Sequence, residues 1–264
     1  MFRTIEFSDP QYESHNLRFI TVKSNNLKGR GDICLFLPPL LNVKNIPLVI
    51  LLHGVYGSAW HWAYKGGAHI AAWEMMEKKE IQPMVIAMPS DGLWGDGSAY
   101  LPHHGCDFEK WIVDDVPEAV KEQVTAVSSS SDVFISGLSM GGFGALRLGA
   151  KYGHRYRAIS AHSSITAMEQ MSLFVEEPLE KYGKSKSYSV IETIKEHKEQ
   201  LPDIRFDCGT EDFLIAHNRR LHEQLNQAEV PHVYQEFPGG HEWPYWQEHI
   251  KDSLRFFNSC NQNR

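Results

Sequence analysis

The chain has 264 residues, of which 42% are hydrophobic and 22% are charged, and its formal net charge is −7. A chain of this length and composition buries a core large enough to fold without disulfides or structural metals. The acidic balance, without any long basic run, argues against a nucleic-acid partner and against an anionic membrane surface.

Cysteine spacing and apolar runs predict the cellular setting. The four cysteines are scattered without CxxC spacing, which argues against a disulfide framework and against a zinc site. The first residues contain no secretory apolar segment, and no apolar stretch approaches the ~18 residues that span a bilayer. We therefore expect a cytoplasmic protein without a membrane partner.

Short apolar runs alternate with helical patterns along the chain, which is typical of a mostly parallel sheet with helices on both faces. Two alternating runs, at 17–23 and 32–37, predict an antiparallel start to the sheet. Six further apolar runs predict central strands at 48–52, 84–88, 133–136, 158–161, 204–208 and 233–237. The sequence thus predicts an eight-stranded α/β fold.

Helical periodicity separates these strands. Asp107 is a candidate N-cap for a helix whose apolar positions recur as far as Val127, and a second helix follows Ser139. Two more are predicted over 213–227 and 244–257. Residues 163–200 form a longer connection than a crossover needs, either a cap over a pocket or a longer helical link. We expect one domain over 1–264, with this insertion.

The strongest local motif is Gly137-Leu138-Ser139-Met140-Gly141, between an apolar strand and the start of a glycine-rich helix. This order is typical of a nucleophile elbow, a strained turn that lifts a serine hydroxyl above the sheet edge. Small residues on either side allow so tight a turn. The helix N-terminus brings backbone N–H groups and the positive end of its dipole to the serine. Ser139 is therefore the candidate nucleophile.

A serine nucleophile needs a base and an acid that orients the base. His241 follows the last predicted strand in a Gly-Gly-His sequence, and Asp212 follows the strand before it. The order serine, aspartate, histidine is the one that α/β-hydrolases use. Glu211 and Asp207 remain alternatives for the acid, and Asp212 is favoured.

The loop after the strand at 48–52 is a candidate oxyanion site. Gly54 gives it freedom to point a backbone N–H inward, and the amides of Val55 and Met140 are the expected donors. His53 precedes this loop and is expected to brace it, although it also counts, with Gly54, as a candidate substrate contact. The alternative is an ordinary turn at the end of a strand.

With these residues the chain resembles the esterase D group of α/β-hydrolases, which includes tributyrin-type esterases, feruloyl and acetyl-xylan esterase domains and S-formylglutathione hydrolases. The resemblance covers nearly the whole chain and is carried by Gly-Leu-Ser-Met-Gly-Gly at 137–142, Gly-Thr-Glu-Asp at 209–212 and Gly-His-Glu-Trp at 240–243. It implies Ser139 as nucleophile, Asp212 as acid and His241 as base, no cofactor, and a homodimer.

The substrate implied by the resemblance is a small-molecule ester with a short acyl chain, including acylated carbohydrates. The chain departs from S-formylglutathione hydrolases at 53–55, where it has His-Gly-Val and those enzymes have a sequence similar to Ser-Gly-Leu-Thr-Cys. Trp60, Trp94 and Trp243 are candidate substrate contacts, with loop packing as the alternative for each. His103-His104 lacks matching ligands elsewhere in the sequence, so no metal is predicted.

Three alternatives stay open from the sequence. A thioesterase resembling S-formylglutathione hydrolase and an acyltransferase use the same triad, since pocket shape selects the leaving group and the acceptor. A non-catalytic carbohydrate-binding module is the alternative from another class, because this fold also hosts non-enzymes. The intact Ser139, Asp212 and His241 favour the esterase.

Overall fold

The computed structural model describes residues 2–39, 43–183 and 188–262. The strands in these residues are, in chain order, β1 (Ile5–Phe7), β2 (Leu17–Ser24), β3 (Gly29–Phe36), β4 (Leu48–Leu52), β5 (Val85–Pro89), β6 (Pro102–His103), β7 (Cys106–Asp107), β8 (Val133–Leu138), β9 (Ala158–His162), β10 (Asp203–Gly209) and β11 (Val233–Phe237). The small β6 and β7 pair only with each other. The other strands form one sheet in the order β1-β2-β3-β5-β4-β8-β9-β10-β11.

The sheet confirms the predicted α/β-hydrolase class. From β5 through β4 to β11 neighbouring strands run parallel, and β1, β2 and β3 form an antiparallel margin. The count of eight strands was wrong, because the described residues form a nine-stranded sheet. The additional strand, β1, is three residues long and none of its side chains is fully buried. Its sequence therefore lacks the alternation of buried and exposed residues that predicts a strand. It is held by pairing with the edge of β2.

The helices of the described residues are α1 (His61–Tyr64), α2 (Ala68–Glu77), α3 (Phe108–Lys110), α4 (Val116–Gln123), α5 (Met140–Lys151), α6 (Val190–Glu196), α7 (Ile215–Gln227) and α8 (Trp243–Gln262). None of them combines the length and the apolar character that a membrane span requires.

The helix expected after Asp107 is interrupted and shorter than predicted. The Asp107 carboxylate caps it by accepting the Lys110 N–H at 2.9 Å. A π-helical turn then separates α3 from α4, and α4 ends at Gln123 because Val124 takes an extended backbone. Val124 and Val127 are nevertheless buried in the core. The apolar periodicity therefore correctly indicated that these two residues are buried, although the helix ends before them.

Each face of the sheet carries its own core. Successive side chains of a strand point to opposite faces, so Ile50 packs among α4 to α7 and Leu51 packs on the side of α1, α2 and α8. Each fully buried aliphatic side chain of this kind stabilises the fold by about 1.5–3 kcal/mol relative to exposure. Because β4, β8, β10 and β11 run parallel, the loops after all four strands open at one edge of the sheet.

The insertion at 163–200 contains short 3₁₀ turns at Met168–Leu173 and Leu179–Tyr182, followed by α6. Residues 184–187 of it lie outside the described residues. Helix α6 packs beside α5, whereas the 3₁₀ turns lie near the loops that follow β4 and β5. The insertion thus has a part that extends the helical layer and a part that reaches the open edge of the sheet.

Candidate active site

Ser139 lies between the end of β8 and the start of α5, in the turn that the sequence predicts. Its backbone has φ 54° and ψ −118°, a strained conformation for a residue with a side chain. A Cβ atom at Gly137 would collide with the Gly141 carbonyl, and one at Gly141 would collide with the Leu52 carbonyl. The two glycines are therefore required by the close approach of strand, turn and helix.

The side chains of Ser139, His241 and Asp212 form one hydrogen-bonded chain. The Ser139 Oγ lies 3.0 Å from His241 Nε2, and His241 Nδ1 lies 2.9 Å from Asp212 Oδ2. The second Asp212 oxygen accepts the Leu214 N–H at 2.8 Å. Ser139 and Asp212 are buried, and His241 is half-buried. The arrangement allows His241 to take a proton from the serine while the carboxylate holds its other nitrogen.

Asp212 is the ionised partner that this geometry needs. Burial raises the pKa of its carboxyl, but the hydrogen bond and charge of His241, the Leu214 N–H and the Ser163 hydroxyl outweigh burial and hold the pKa below its ordinary value. An ionised carboxylate accepts a proton-bearing Nδ1, which leaves Nε2 of His241 as the acceptor that faces Ser139.

The predicted oxyanion residues lie around Ser139. A Cβ atom at Gly54 would lie 3.4 Å from the Ser139 Cβ, and the side chains of Val55 and Met140 both lie against Gly97. Within the described part of the chain, the N–H groups of Val55 and Met140 donate to no protein acceptor. Two unpaired amides beside a nucleophile are what an oxyanion hole requires.

His53 braces the loop, as the sequence analysis expects, and its role as a substrate contact stays a prediction. The ring is 2% exposed. Its Nε2 accepts the Asp91 N–H at 3.0 Å, so the ring proton is on Nδ1, which donates to the Gly54 carbonyl at 2.7 Å. With both nitrogens bonded to backbone, His53 fixes the loop that carries Gly54 and Val55.

The three candidate tryptophans lie in different surroundings. Trp60 is 42% exposed and stacks on His61 at 3.9 Å between ring centroids. Trp243 is half-buried and meets Trp62 and Trp246 edge-on. Trp94 packs in the same way on His103 and Tyr182. Among the described residues none of the three has a ring contact with His241, and their roles in substrate binding stay predictions.

Two phenylalanines that the sequence analysis missed do contact His241. Phe213 lies 4.7 Å and Phe174 lies 5.6 Å from its ring, centroid to centroid, and the two phenylalanines are 5.5 Å apart. Phe213 is 57% exposed, so this aromatic surface faces solvent beside the base. The position of Phe213, directly after Asp212, could have indicated it, whereas Phe174 comes from the insertion.

The insertion is fastened to the loops after β4 and β5. The Tyr56 hydroxyl donates to the Phe174 carbonyl, and the Tyr182 hydroxyl donates to the Gly97 carbonyl at 2.8 Å. The Glu177 carboxylate accepts the Asp96 N–H at 3.2 Å. These bonds hold the first part of the insertion beside the Ser139–His241 pair.

Neither of the two alternative acids is hydrogen-bonded to His241 in the described structure. Glu211 is exposed, and Asp207 is fully buried on the other side of its strand from Cys208. Asp207 instead contacts Arg205, His162 and Tyr245. Burial raises the pKa of its carboxyl, but the charge and hydrogen bond of His162, the Arg205 guanidinium and the Tyr245 hydroxyl outweigh it and lower the pKa to about 2.

We expect an Asp207→Asn variant to lose about 3–5 kcal/mol of unfolding free energy, because it removes the buried carboxylate that pairs directly with the buried Arg205. In the wild type the carboxyl pKa is lower in the folded than in the unfolded chain. Its contribution is therefore full above about pH 5 and is lost as the pH falls toward 2. Urea unfolding between pH 7 and pH 3 measures both effects, with Asp114→Asn, which removes a half-buried carboxylate paired with Arg155 near the surface, as the control. Equal stability of Asp207→Asn and wild type at pH 7 would contradict this account.

His103 and His104 are adjacent, with their Nδ1 atoms 3.1 Å apart. His103 Nε2 donates to the Ser98 carbonyl at 3.0 Å, and both rings pack on Trp94. In residues 2–39, 43–183 and 188–262, no three histidine, cysteine, aspartate or glutamate side chains are grouped as metal ligands.

Comparison with known proteins gives the family. A family model described as "Putative esterase" matches residues 24–257. An acetyl esterase from Caldicellulosiruptor saccharolyticus is 26% identical over 238 residues, which cover 83% of this chain and 85% of that protein.

Two solved structures share the fold. A fluorophosphonate-binding serine hydrolase from Staphylococcus aureus has 21% identity and a TM-score of 0.78, over 90% of this chain and 96% of that chain. A ferulic acid esterase has 23% identity and a TM-score of 0.79, over 97% and 98%. These matches confirm the resemblance drawn from the motifs. The chain belongs to this esterase family and is an esterase with the α/β-hydrolase fold.

Proposed function

We propose that this esterase works through Ser139 as nucleophile, His241 as general base and Asp212 as the acid that orients it. The observation that carries the proposal is the hydrogen-bonded chain from Ser139 Oγ through His241 to Asp212, at 3.0 and 2.9 Å. No other histidine of the described residues has a ring nitrogen within hydrogen-bond distance of the Ser139 hydroxyl.

The reaction has two halves. In the first, His241 Nε2 takes the proton of Ser139 as its Oγ attacks the ester carbonyl, and the alcohol leaves with that proton. In the second, His241 takes a proton from water, which attacks the acyl-serine carbonyl; His241 then returns this proton to Ser139 Oγ as the acid is released. The N–H groups of Val55 and Met140 hold the oxyanion in both halves, and the loss of one such donor typically costs about 10²–10³ in kcat.

The substrate class is a short acyl or aryl ester, including esters of carbohydrates. The exposed Phe213 and the neighbouring Phe174 offer an apolar surface beside His241 that suits an acetyl group or an aryl ring. The relative from Caldicellulosiruptor is an acetyl esterase, and one structural neighbour is a ferulic acid esterase.

The cap role of residues 163–200, the cytoplasmic location and the homodimer remain predictions. Because the chain belongs to an esterase family, the alternative of a non-catalytic carbohydrate-binding module has no support.

Two measurements test the proposal. Hydrolysis of p-nitrophenyl esters from acetate to octanoate is expected to be fastest for the shortest chains. Treatment with a fluorophosphonate is expected to abolish this activity, and mass spectrometry of the digested protein should find the phosphonyl group on the peptide that contains Ser139. A label on another serine would contradict the assignment. Inactivity toward oxygen esters with turnover of the matching thioesters would favour the thioesterase.

A further inference from the structure

A second chain of serine, histidine and aspartate lies buried beneath the active site. His162 Nδ1 lies 2.9 Å from Asp207 Oδ2, and His162 Nε2 lies 2.8 Å from the Ser253 hydroxyl. The order of atoms is the same as in the Ser139 chain, with nearly the same distances. All three side chains are 0% exposed, so no substrate reaches them. This buried chain is therefore not a second catalytic site.

The register of two parallel strands creates this pair. His162, the last residue of β9, is the direct neighbour of Asp207 on β10. Two residues earlier on the same face of β10, Arg205 is bonded to the Asp207 carboxylate. Helix α8 covers this face and supplies Ser253 and Tyr245. The buried Asp207 carboxylate thus contacts His162 and Arg205 from the strands and Tyr245 from the helix, and Ser253 bonds the far side of the His162 ring.

The pair is connected to the nucleophile through its backbone. The His162 carbonyl accepts the Ser139 N–H at 2.9 Å. Ser139 has the strained positive φ described above, and such a conformation persists only where its surroundings hold it. The ring of His162 bonds the Ser253 hydroxyl on one side and lies 2.9 Å from the Asp207 carboxylate on the other, and these two contacts fix the end of β9 and with it the carbonyl that holds Ser139.

The pair is also connected to the base. The Tyr245 hydroxyl donates to Asp207 Oδ1 at 2.8 Å, and Tyr245 lies in the first turn of α8, four residues after His241. A Cβ atom at Gly239 would lie 2.8 Å from the Tyr245 ring, so the loop before His241 packs directly on this side chain. The hydrogen bond from Tyr245 therefore fixes both ends of the loop that carries His241.

A third connection reaches the acid. The Asp207 carbonyl accepts the Ser163 N–H at 2.8 Å. The Ser163 hydroxyl accepts the Trp246 indole N–H at 3.2 Å, and its interaction with the Asp212 carboxyl helps to lower the pKa of that group. The residue after His162 thus acts on the acid, while the His162 carbonyl bonds the nucleophile.

We propose that His162 and Asp207 form a positioning centre that sets the relative placement of Ser139, His241 and Asp212. The pair touches no substrate and acts through the backbone of β9, the first turn of α8 and Ser163. This inference rests on the proposed triad, because a positioning centre needs a catalytic chain to position. Small displacements at such a site lower the chemical rate more than they change substrate binding.

The test uses Tyr245→Phe, which removes one hydroxyl and keeps the ring that packs on Gly239. We expect kcat for p-nitrophenyl acetate to fall about tenfold with KM within twofold of wild type. The rate constant of fluorophosphonate labelling should fall by a similar factor. Ser253→Ala, which removes the bond at the other end of His162, is expected to change kcat in the same direction.

Tyr234→Phe is the matched control. Its hydroxyl also donates to a carboxylate, Glu236 Oε1 at 2.9 Å, but on β11 and away from the triad. We expect its kcat to stay within twofold of wild type, whether or not the substitution lowers Tm. If Tyr245→Phe and Ser253→Ala keep the kcat and labelling rate of wild type and lower only Tm, the pair has a purely structural role and the inference is wrong. A wild type that neither hydrolyses esters nor takes the label overturns the triad itself.

Discussion

A Ser139→Ala variant is expected to lose about 10⁶-fold in kcat toward p-nitrophenyl acetate, because removal of the nucleophile leaves only binding and the oxyanion donors. The hydroxyl makes one hydrogen bond, to His241 Nε2, and the turn around it is built from backbone contacts and glycines. Alanine keeps the Cβ atom and the N–H that bonds the His162 carbonyl. The variant should therefore fold, and circular dichroism and Tm would establish that it does.

Ser136→Ala is the control for this prediction. Ser136 lies three residues earlier in β8, is fully buried, and its hydroxyl has no hydrogen-bond partner among the described residues. Removal of an unsatisfied hydroxyl costs little, so kcat should stay within twofold of wild type. If Ser139→Ala kept more than about 1% of the wild-type kcat, the acyl-enzyme route through Ser139 would be excluded.

The turn at Ser139 and its closeness to Asp212 and His241 could be predicted because each residue lies in a short characteristic stretch of sequence. A strand, a glycine-flanked serine and a glycine-rich helix start define the backbone around Ser139 within about ten residues. The parallel sheet then brings every loop after a strand to the same edge, so Asp212 and His241 needed only the right strand order. Local patterns and one topological rule were enough for these three residues.

Long-range packing decided what the sequence could not show. The contact of Phe174 with His241 depends on how residues 163–183 fold back over the loops after β4 and β5. The burial of Asp207 depends on the register between β9 and β10 and on the helix that covers them. The sequence favoured a bracing role for His53 but could not show what it braces, because the ring bonds the Asp91 N–H, which is 38 residues away in the chain.

Replacement of Asp212 by asparagine is expected to lower kcat about 10⁴-fold, the loss that follows when a triad aspartate becomes neutral. The amide oxygen of the asparagine could still accept the Leu214 N–H that Asp212 Oδ1 accepts at 2.8 Å, so the loop should keep its shape. The amide N–H₂ would, however, face His241 Nδ1 as a donor. The imidazole would then carry its proton on Nε2 and could not accept the Ser139 proton. Steady-state hydrolysis of p-nitrophenyl acetate by Asp212→Asn measures this loss.

Glu211→Gln distinguishes this explanation from a general loss of negative charge beside the site. Glu211 is the neighbouring residue, is exposed, and makes no bond to His241 in the described structure. The substitution removes the same charge, so an effect that came from the field alone would appear in both variants and would weaken with salt. We expect kcat of Glu211→Gln within threefold of wild type at any salt concentration. If Glu211→Gln lost 10⁴-fold in kcat while Asp212→Asn stayed active, the acid of the triad would be Glu211. The His241–Asp212 hydrogen bond at 2.9 Å favours Asp212 as the acid.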